Sequence, residues 1–234
     1  MTAMRSRIWN WNGVIALRAA ESCRVLVYCG VAAVLGGCAN EELVKKSQGY
    51  YQEGVASLST DRQRAFVSFQ KSVQLDPDNK QARYALGHVY AMQGKLSKAE
   101  EEFRAAVRID EDFSEAHTYL GQILFSQNRL DEAIQSYRQA LTNPLYATPD
   151  LARFHLGKAL AQQGNLQGSM EALEDAVVVS PPSVPPAMIH LELGRVYVKL
   201  GFTARAREVL EKAVALDQGG EYSAAAKELL VRLK

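Results

Sequence analysis

The side chain with the most specific chemistry in this sequence is the thiol of Cys38. It closes the run Val34-Leu35-Gly36-Gly37-Cys38, at the end of an apolar stretch from Val25 to Leu35. Four arginines precede that stretch: Arg5, Arg7, Arg18 and Arg24. A basic leader, a short apolar segment and small residues before a cut are the parts of a secretory signal. We therefore predict that residues 1–37 are a signal peptide, and that its removal leaves the thiol and the amine of Cys38 available for acylation.

The run that ends in Cys38 resembles a bacterial lipobox. The resemblance implies a diacylglyceryl group on the thiol and a further acyl chain on the amine, with residues 38–42 as lipidated N-terminus and short linker. Two or three chains attach a protein durably, because each buried methylene contributes about 0.8 kcal/mol. The alternatives are an ordinary signal peptide and an uncleaved anchor helix. The apolar stretch has 11 residues, whereas a spanning helix needs roughly 20, so the anchor helix is disfavoured.

The rest of the sequence offers no catalytic or metal-binding pattern. Its four histidines, His88, His117, His155 and His190, are spread along the chain, whereas a zinc site needs several Cys, His or carboxylate ligands that converge. The sequence contains neither a phosphate-binding glycine loop nor a G-x-S-x-G nucleophile motif. We predict that the protein is not an enzyme, has no metal site, and carries no cofactor apart from the lipid on Cys38.

Composition narrows the classes of partner. Cleavage before Cys38 removes four arginines and Glu21, which leaves 23 basic and 25 acidic side chains in residues 38–234. A net charge of about minus two supplies no basic field for phosphate contacts, so we expect no nucleic-acid partner. The lack of a catalytic motif predicts that there is no small-molecule substrate. Cys38 would be the single cysteine of the mature chain, and so no disulfide framework can form.

Glycines recur at a nearly constant interval in the mature chain. They are Gly54, Gly87, Gly121, Gly157 and Gly194, and the intervals are 33, 34, 36 and 37 residues. Small residues keep the same spacing at Ala65, Ala99, Ala133, Ser169 and Ala206. A glycine inside a helix costs roughly 1 kcal/mol relative to alanine. Five such glycines therefore indicate that a second helix packs closely against each of them.

The period near 34 and the helix-turn-helix pattern resemble the tetratricopeptide repeat, most clearly in A-R-Y-A-L-G-H-V-Y and A-E-E-E-F-R-A-A-V of the second repeat. The resemblance implies an all-α superhelical solenoid over residues 43–234. We predict a closing helix from about Glu221 to Lys234. The five helix pairs before it are predicted at approximately 43–79, 80–113, 114–149, 150–186 and 187–219.

Local signals predict several helix ends. Ser97 with Glu100 has the pattern of a capping box at the start of a second helix. Pro149 is expected at the first position of a helix, after a capping Thr148. The run Asp76-Pro77-Asp78-Asn79 predicts a turn, with the proline ending the helix before it.

In stacked helix pairs the first helices line the concave side, so residues beside the repeated glycines are candidates for a protein-binding groove. The candidates are Tyr51, Tyr84, His88, Met92, Tyr119, Gln122, Phe125, Phe154, His155, Lys158, Arg195 and Lys199. Aromatic residues are enriched where proteins meet. The alternative for each aromatic residue is packing between repeats. Because the tyrosines belong to the first three repeats and the basic residues to the last two, we predict an apolar groove followed by a basic one.

The segment Asn143-Pro144-Leu145-Tyr146-Ala147-Thr148-Pro149 is similar to one in the PilF/PilW type IV pilus biogenesis family, whose members are outer-membrane lipoproteins made of tetratricopeptide repeats. The resemblance implies a pilotin, a lipid-anchored escort that binds the secretin subunit and helps it localise and multimerise. The chain has five clear repeats where six are typical of that family.

Ala39, rather than Asp, follows Cys38. In lipoprotein sorting this favours the outer membrane, and the repeat domain is then expected to face the periplasm. The alternative function is an envelope scaffold for peptidoglycan hydrolases or for polysaccharide export machinery.

Overall fold

The computed structural model describes residues 40–233, so the predicted signal peptide and the predicted lipid site at Cys38 lie outside the described residues. Within this range the chain forms eleven α-helices, and the first, α1, covers residues 40–57. The others are α2 (Arg62–Leu75), α3 (Lys80–Met92), α4 (Leu96–Ile109), α5 (Ser114–Ser126), α6 (Leu130–Ala140), α7 (Pro149–Gln163), α8 (Leu166–Val177), α9 (Pro186–Leu200), α10 (Thr203–Leu216) and α11 (Glu221–Arg232).

The helices form five antiparallel pairs stacked in chain order, and α11 closes the stack. The most extensive contacts are within pairs, for example between α3 and α4 or between α9 and α10, and smaller ones join each pair to the next. The predicted all-α solenoid of five helix pairs with a closing helix is therefore confirmed. None of the helices within residues 40–233 combines the length and the apolar character needed to cross a membrane.

Side chains satisfy the free backbone N–H groups at several helix starts, as expected for Asp and Asn at these positions. Asp61 accepts from Arg64 N at 2.9 Å, and Asn79 accepts from Ala82 N at 3.0 Å. Pro77 follows the end of α2 at Leu75, as the predicted turn requires. Pro149 is the first residue of α7, also as predicted.

Two of the predicted caps are wrong. Helix α4 begins at Leu96, one residue before Ser97, and its start has no side-chain cap. Because Ser97 lies inside the helix and not at its N-cap, Glu100 cannot complete a capping box. Its carboxylate instead pairs with Arg104 at 2.9 Å and with Arg129 at 2.7 Å. Thr148 precedes α7 but its side chain makes no capping hydrogen bond.

The repeated glycines mark the closest approach of the two helices in each pair. A Cβ added at Gly121 would lie 2.5 Å from the ring of Tyr137, which is fully buried. Equivalent contacts of 2.5–2.9 Å join the other four glycines to Phe69, Phe103, Leu173 and Leu210. Only a residue without a side chain fits at these points, and this confirms the reason inferred for the period.

A continuous core runs along the stack between the two layers of helices. Phe69, Phe103 and Leu160 belong to one apolar cluster that spans the first four pairs, and a second cluster around Ile189 and Val196 continues it. Helix α11 covers the end through Ala226, which packs with Leu210. The closing helix thus protects a core face that would otherwise contact water.

Two inserted loops lengthen the third and fourth intervals of the repeat, and they meet at the start of α7. They span residues 141–148 and 178–185 and contain no charged residue. The buried carboxylate of Asp150 accepts from Ser183 N at 2.6 Å, from Ser183 Oγ at 2.7 Å and from Val184 N at 2.8 Å. Burial opposes the ionisation of Asp150, but these hydrogen bonds outweigh it and lower the pKa. Asp150 therefore fastens the second loop to the start of α7.

Candidate functional site

The first helices of the pairs form the concave side of the solenoid. Helix α5 contacts α7, and α7 contacts α9, whereas α6, α8 and α10 make no contacts of that extent with one another in the described chain. We define the inner face by distance from the repeated glycine. It consists of the side chains of α1, α3, α5, α7 and α9, and of the turn directly after α1, that lie two or three residues before, or one, four or five residues after, that glycine. All twelve predicted groove residues occupy these positions.

An aromatic cluster occupies the inner face where α3 meets α5. The ring centroids of His88 and Tyr119 are 4.0 Å apart, and those of Tyr84 and Tyr119 are 5.8 Å apart. Tyr84 also lies 5.1 Å from Phe113, and His88 lies 5.4 Å from the buried Phe103. Tyr84, His88 and Tyr119 are half-buried. They therefore hold two repeats together and remain partly accessible to solvent.

Burial determines the protonation states of His88 and Tyr84 in this cluster and of His155 in the fourth repeat. It lowers the pKa of His88 to about 4, and burial together with the charge of Lys158 lowers the pKa of His155 to about 4. Burial raises the pKa of Tyr84, and the nearby hydroxyl of Tyr119 adds to that effect. At neutral pH these inner-face rings are uncharged, so they contribute apolar area and hydrogen-bonding edges.

The first two repeats expose aliphatic side chains on the inner face. Met92 is 56% exposed, Val55 is 49% exposed and Leu58 is 36% exposed. The half-buried ring of Tyr51 lies beside them, 6.0 Å from that of Phe69. The sequence analysis missed Val55 and Leu58, although their distances from Gly54 match those of His88 from Gly87 and of Phe125 from Gly121. The distance from the repeated glycine was therefore sufficient to identify both residues, but the prediction favoured aromatic side chains.

Phe154 occupies an inner-face position, but its side chain is not accessible there. It is 2% exposed and packs with Leu173 and Ile189 in the core. The structure corrects this prediction, and the reason is that the fifth pair covers the ring of Phe154. By contrast, Phe125 and Gln122 in the third repeat are half-buried, as is His155 in the fourth, whose ring stacks on Tyr137 at 5.9 Å.

Basic side chains follow in the last two repeats. The Lys158 ammonium lies 6.0 Å from the ring centroid of Phe125 and 5.5 Å from that of Phe154, an arrangement that favours a cation above aromatic faces. Arg195 pairs with Glu192 at 2.5 Å, and Lys199 is exposed. The inner face thus changes from aliphatic and aromatic in α1 and α3 to basic in α7 and α9.

The loop that is similar to a segment of the pilus family is hydrogen-bonded to α5 and to the turn before it. The Tyr146 hydroxyl and Thr118 Oγ1 share a hydrogen bond of 2.8 Å, and Asn143 Nδ2 donates to the carbonyl of Asp112 at 3.1 Å. Tyr146 is buried, whereas Leu145 is 89% exposed. The loop therefore has a structural role through Tyr146, and it presents Leu145 to solvent.

The described residues contain no group of three His, Cys, Asp or Glu side chains that could hold a metal ion. The clefts between helices are shallow and mixed in character. One of about 340 Å³ lies between α5 and α6 and is lined by Glu111, His117 and Gln135, among others. His117 is engaged there with the carbonyl of Glu111 at 2.9 Å.

Comparisons with known proteins agree with the fold. Family models described as tetratricopeptide repeat match residues 58–123, 114–143 and 189–219. No curated protein matches the sequence. Proteins built from these repeats are typically protein-interaction modules rather than enzymes.

Several solved structures are similar over most of their length. PilF of Pseudomonas aeruginosa is 21% identical, with a TM-score of 0.65 over 83% of this chain and 93% of that one. PilW, described as a widely conserved type IV pilus biogenesis factor, is 22% identical, with a TM-score of 0.63 over 80% and 90%. YrrB, described as having an unusual peptide-binding site, is 22% identical, with a TM-score of 0.63 over 76% and 90%. The chain is a tetratricopeptide-repeat protein whose fold resembles those of PilF and PilW.

Proposed function

We propose that the protein is a lipid-anchored adaptor that binds a partner protein on its inner face and assists the assembly of a secretin in the outer membrane, as a pilotin does. The observation that carries the proposal is the inner face itself. It presents exposed Met92 and Val55, half-buried tyrosines and the side chains of Lys158 and Lys199 on a stack of helices. Aromatic and aliphatic side chains on a preorganised surface reduce the entropic cost of binding. The similarity to PilF and PilW supports the choice of a type IV pilus partner.

The lipid anchor is the second part of the proposal. Helix α1 begins at residue 40, two residues after Cys38. An acylated Cys38 would therefore hold the first repeat at the membrane surface, with the domain facing the periplasm. Anchoring raises the concentration of the inner face near a membrane-bound partner without any new contact. No chemical reaction is assigned to the repeat domain.

Deletion of the gene tests this proposal. Secretin multimers resist detergent when samples are left unboiled, so envelope fractions of wild-type and deletion strains are compared on gels. We expect multimers to be lost in the deletion strain and restored by the wild-type gene, but not by Cys38→Ala, whose product should fold normally yet remain unanchored. Normal multimers in the deletion strain would rule out the pilotin role. Crosslinked complexes that contain peptidoglycan hydrolases or export proteins, without secretin, would favour the scaffold alternative.

A further inference from the structure

The basic part of the inner face contains cations without carboxylate partners. Neither Lys158 nor Lys199 forms an ion pair within residues 40–233, in contrast to Arg195, which pairs with Glu192. Lys158 is half-buried above two rings, and Lys199 is exposed one repeat further on. An oriented and partly desolvated ammonium group is a ready binding site for a carboxylate.

The other end of the same face is uncharged. Val55 and Met92 are exposed on α1 and α3, and Leu58 is exposed in the turn directly after α1. The neighbouring ring of His88 is neutral at pH 7 because burial lowers its pKa to about 4. A charged side chain placed here would lose hydration without gaining a partner. This end therefore selects apolar side chains.

The spacing of the helices sets the distance between the two ends. Packed helices lie about 8–10 Å apart, so the two steps from α3 through α5 to α7 span about 20 Å. An extended chain covers about 3.3–3.6 Å per residue, and about six residues bridge that distance. The further step from α7 to α9 corresponds to about three residues on the same basis.

We infer that the inner face binds an extended polypeptide whose apolar side chains contact α1 and α3, and whose acidic side chains contact Lys158, about six residues away, and Lys199, about nine residues away. This inference rests on the proposed function for the use of the inner face, but it concerns the chemistry of the bound segment. The positive charges of Lys158 and Lys199 favour Asp and Glu over Lys and Arg in the bound segment. The distance between helices sets how far these acidic residues lie from the apolar ones.

Fluorescence anisotropy with synthetic peptides tests this inference on the full-length protein in detergent. The probe carries a fluorophore, three apolar residues, a spacer of five Gly or Ser residues and four Glu residues, so that acidic side chains occur from about six to about nine residues after the apolar ones. One comparison peptide has Lys in place of Glu, and another has no spacer. We expect the Glu peptide with the spacer to bind at least tenfold more tightly than either comparison peptide, and its affinity to fall as salt screens the charges.

Charge reversal of the protein provides the matched control. The Lys158→Glu/Lys199→Glu variant should weaken binding of the Glu peptide at least tenfold and improve binding of the Lys peptide. The control variant, Lys71→Glu/Lys227→Glu, has the same net charge at exposed positions of α2 and α11, away from the inner face, and should stay within twofold of wild type. Lys199→Glu alone should weaken binding of the Glu peptide severalfold. Because Lys199 is exposed, this variant tests the inference even where replacement of the half-buried Lys158 disturbs folding.

Equal binding of the Glu and Lys peptides, or equal losses in the inner-face and control variants, would overturn the inference. The outcome is separable from that of the proposed function, because the peptide assay contains no secretin. Discrimination between the peptides together with normal secretin multimers in the deletion strain would retain the binding chemistry and reject the pilotin role. The reverse combination would reject this inference alone.

Discussion

Replacement of a helical glycine by alanine should have opposite effects at Gly121 and at Gly49, and this contrast tests the packing that generates the repeat. In a free helix the change stabilises by roughly 0.5–1 kcal/mol, since glycine loses more backbone entropy on folding. Gly49 lies in α1, and a Cβ added there meets no atom within 4 Å. Gly49→Ala should therefore stabilise the protein by that amount.

At Gly121 the same Cβ would lie 2.5, 2.7 and 2.9 Å from three atoms of the Tyr137 ring. That ring is fully buried, so it cannot move aside without displacing its neighbours. Overpacking of a core costs about 1–3 kcal/mol, and the ring contact places Gly121→Ala in the upper part of this range. After the gain in helix propensity, a net loss of about 1–2 kcal/mol remains.

The measurement is urea denaturation followed by circular dichroism at 222 nm on both variants and on the wild-type protein. We expect the two variants to differ by about 2–3 kcal/mol in free energy of unfolding, with the wild type between them. A Gly121→Ala protein as stable as wild type would refute the packing argument. A Gly49→Ala protein that lost as much stability as Gly121→Ala would refute it as well, because the loss would then not depend on the contact with Tyr137.

Further predictions concern the inserted loops and the buried histidines. Asp150→Asn should cost about 3 kcal/mol in urea denaturation at pH 7, because hydrogen bonds to a charged group contribute about 1.5–3 kcal/mol and Asp150 accepts from Ser183 and Val184. Since folding lowers the pKa of Asp150, its contribution to the free energy of unfolding is complete at a pH above the unfolded pKa of about 3.9, and it is lost as pH falls through the lower folded pKa. An Asp150→Asn protein with unchanged stability would contradict this role. Tyr146→Phe should lower the free energy of unfolding by about 1 kcal/mol, because its hydrogen bond to Thr118 is lost. Leu145→Asp, at an 89% exposed position next to it, should change the free energy of unfolding by less than about 0.5 kcal/mol. Equal effects of the two substitutions would show that the loop is not anchored through Tyr146. Burial lowers the pKa values of His88 and His155 to about 4, and both side chains should titrate near that pH when followed by NMR. The free energy of unfolding should decline as pH falls from about 6.5, where the histidines of the unfolded chain begin to bind protons. Titration of both near pH 6.5 would contradict their burial.

The fold could be predicted from the sequence because the decisive contact recurs. Each of the five glycines meets one large side chain of its partner helix, so the same requirement appears in the sequence every 33 to 37 residues. Local capping was less predictable, since it depends on competitors outside the helix. The carboxylate of Glu100 pairs with Arg129, which lies 29 residues away in the next repeat, and no local pattern around Ser97 contains that information.

The sequence predicted which residues occupy the inner face, but not how deeply each side chain is buried. The register identified the face that carries Tyr84, Phe154 and Lys158, but how far each side chain is buried depends on the neighbouring pair. Phe113, from the turn before α5, packs on Tyr84 at 5.1 Å, and the fifth pair buries Phe154. Exposed Val55 remained unrecognised because aliphatic residues are typical of cores as well as of binding faces.

The most direct test of the central claim is the ability of inner-face variants to restore secretin multimers in the deletion strain. Val55→Asp/Met92→Asp places charge on the apolar part of the inner face, whereas Val231→Asp places it on α11, where the side chain is 65% exposed. Both proteins should be made and should fold, because all three positions are largely accessible to solvent. We predict that Val231→Asp restores multimers on unboiled gels and that Val55→Asp/Met92→Asp does not. Full restoration by both variants would contradict the claim that the inner face is the binding surface.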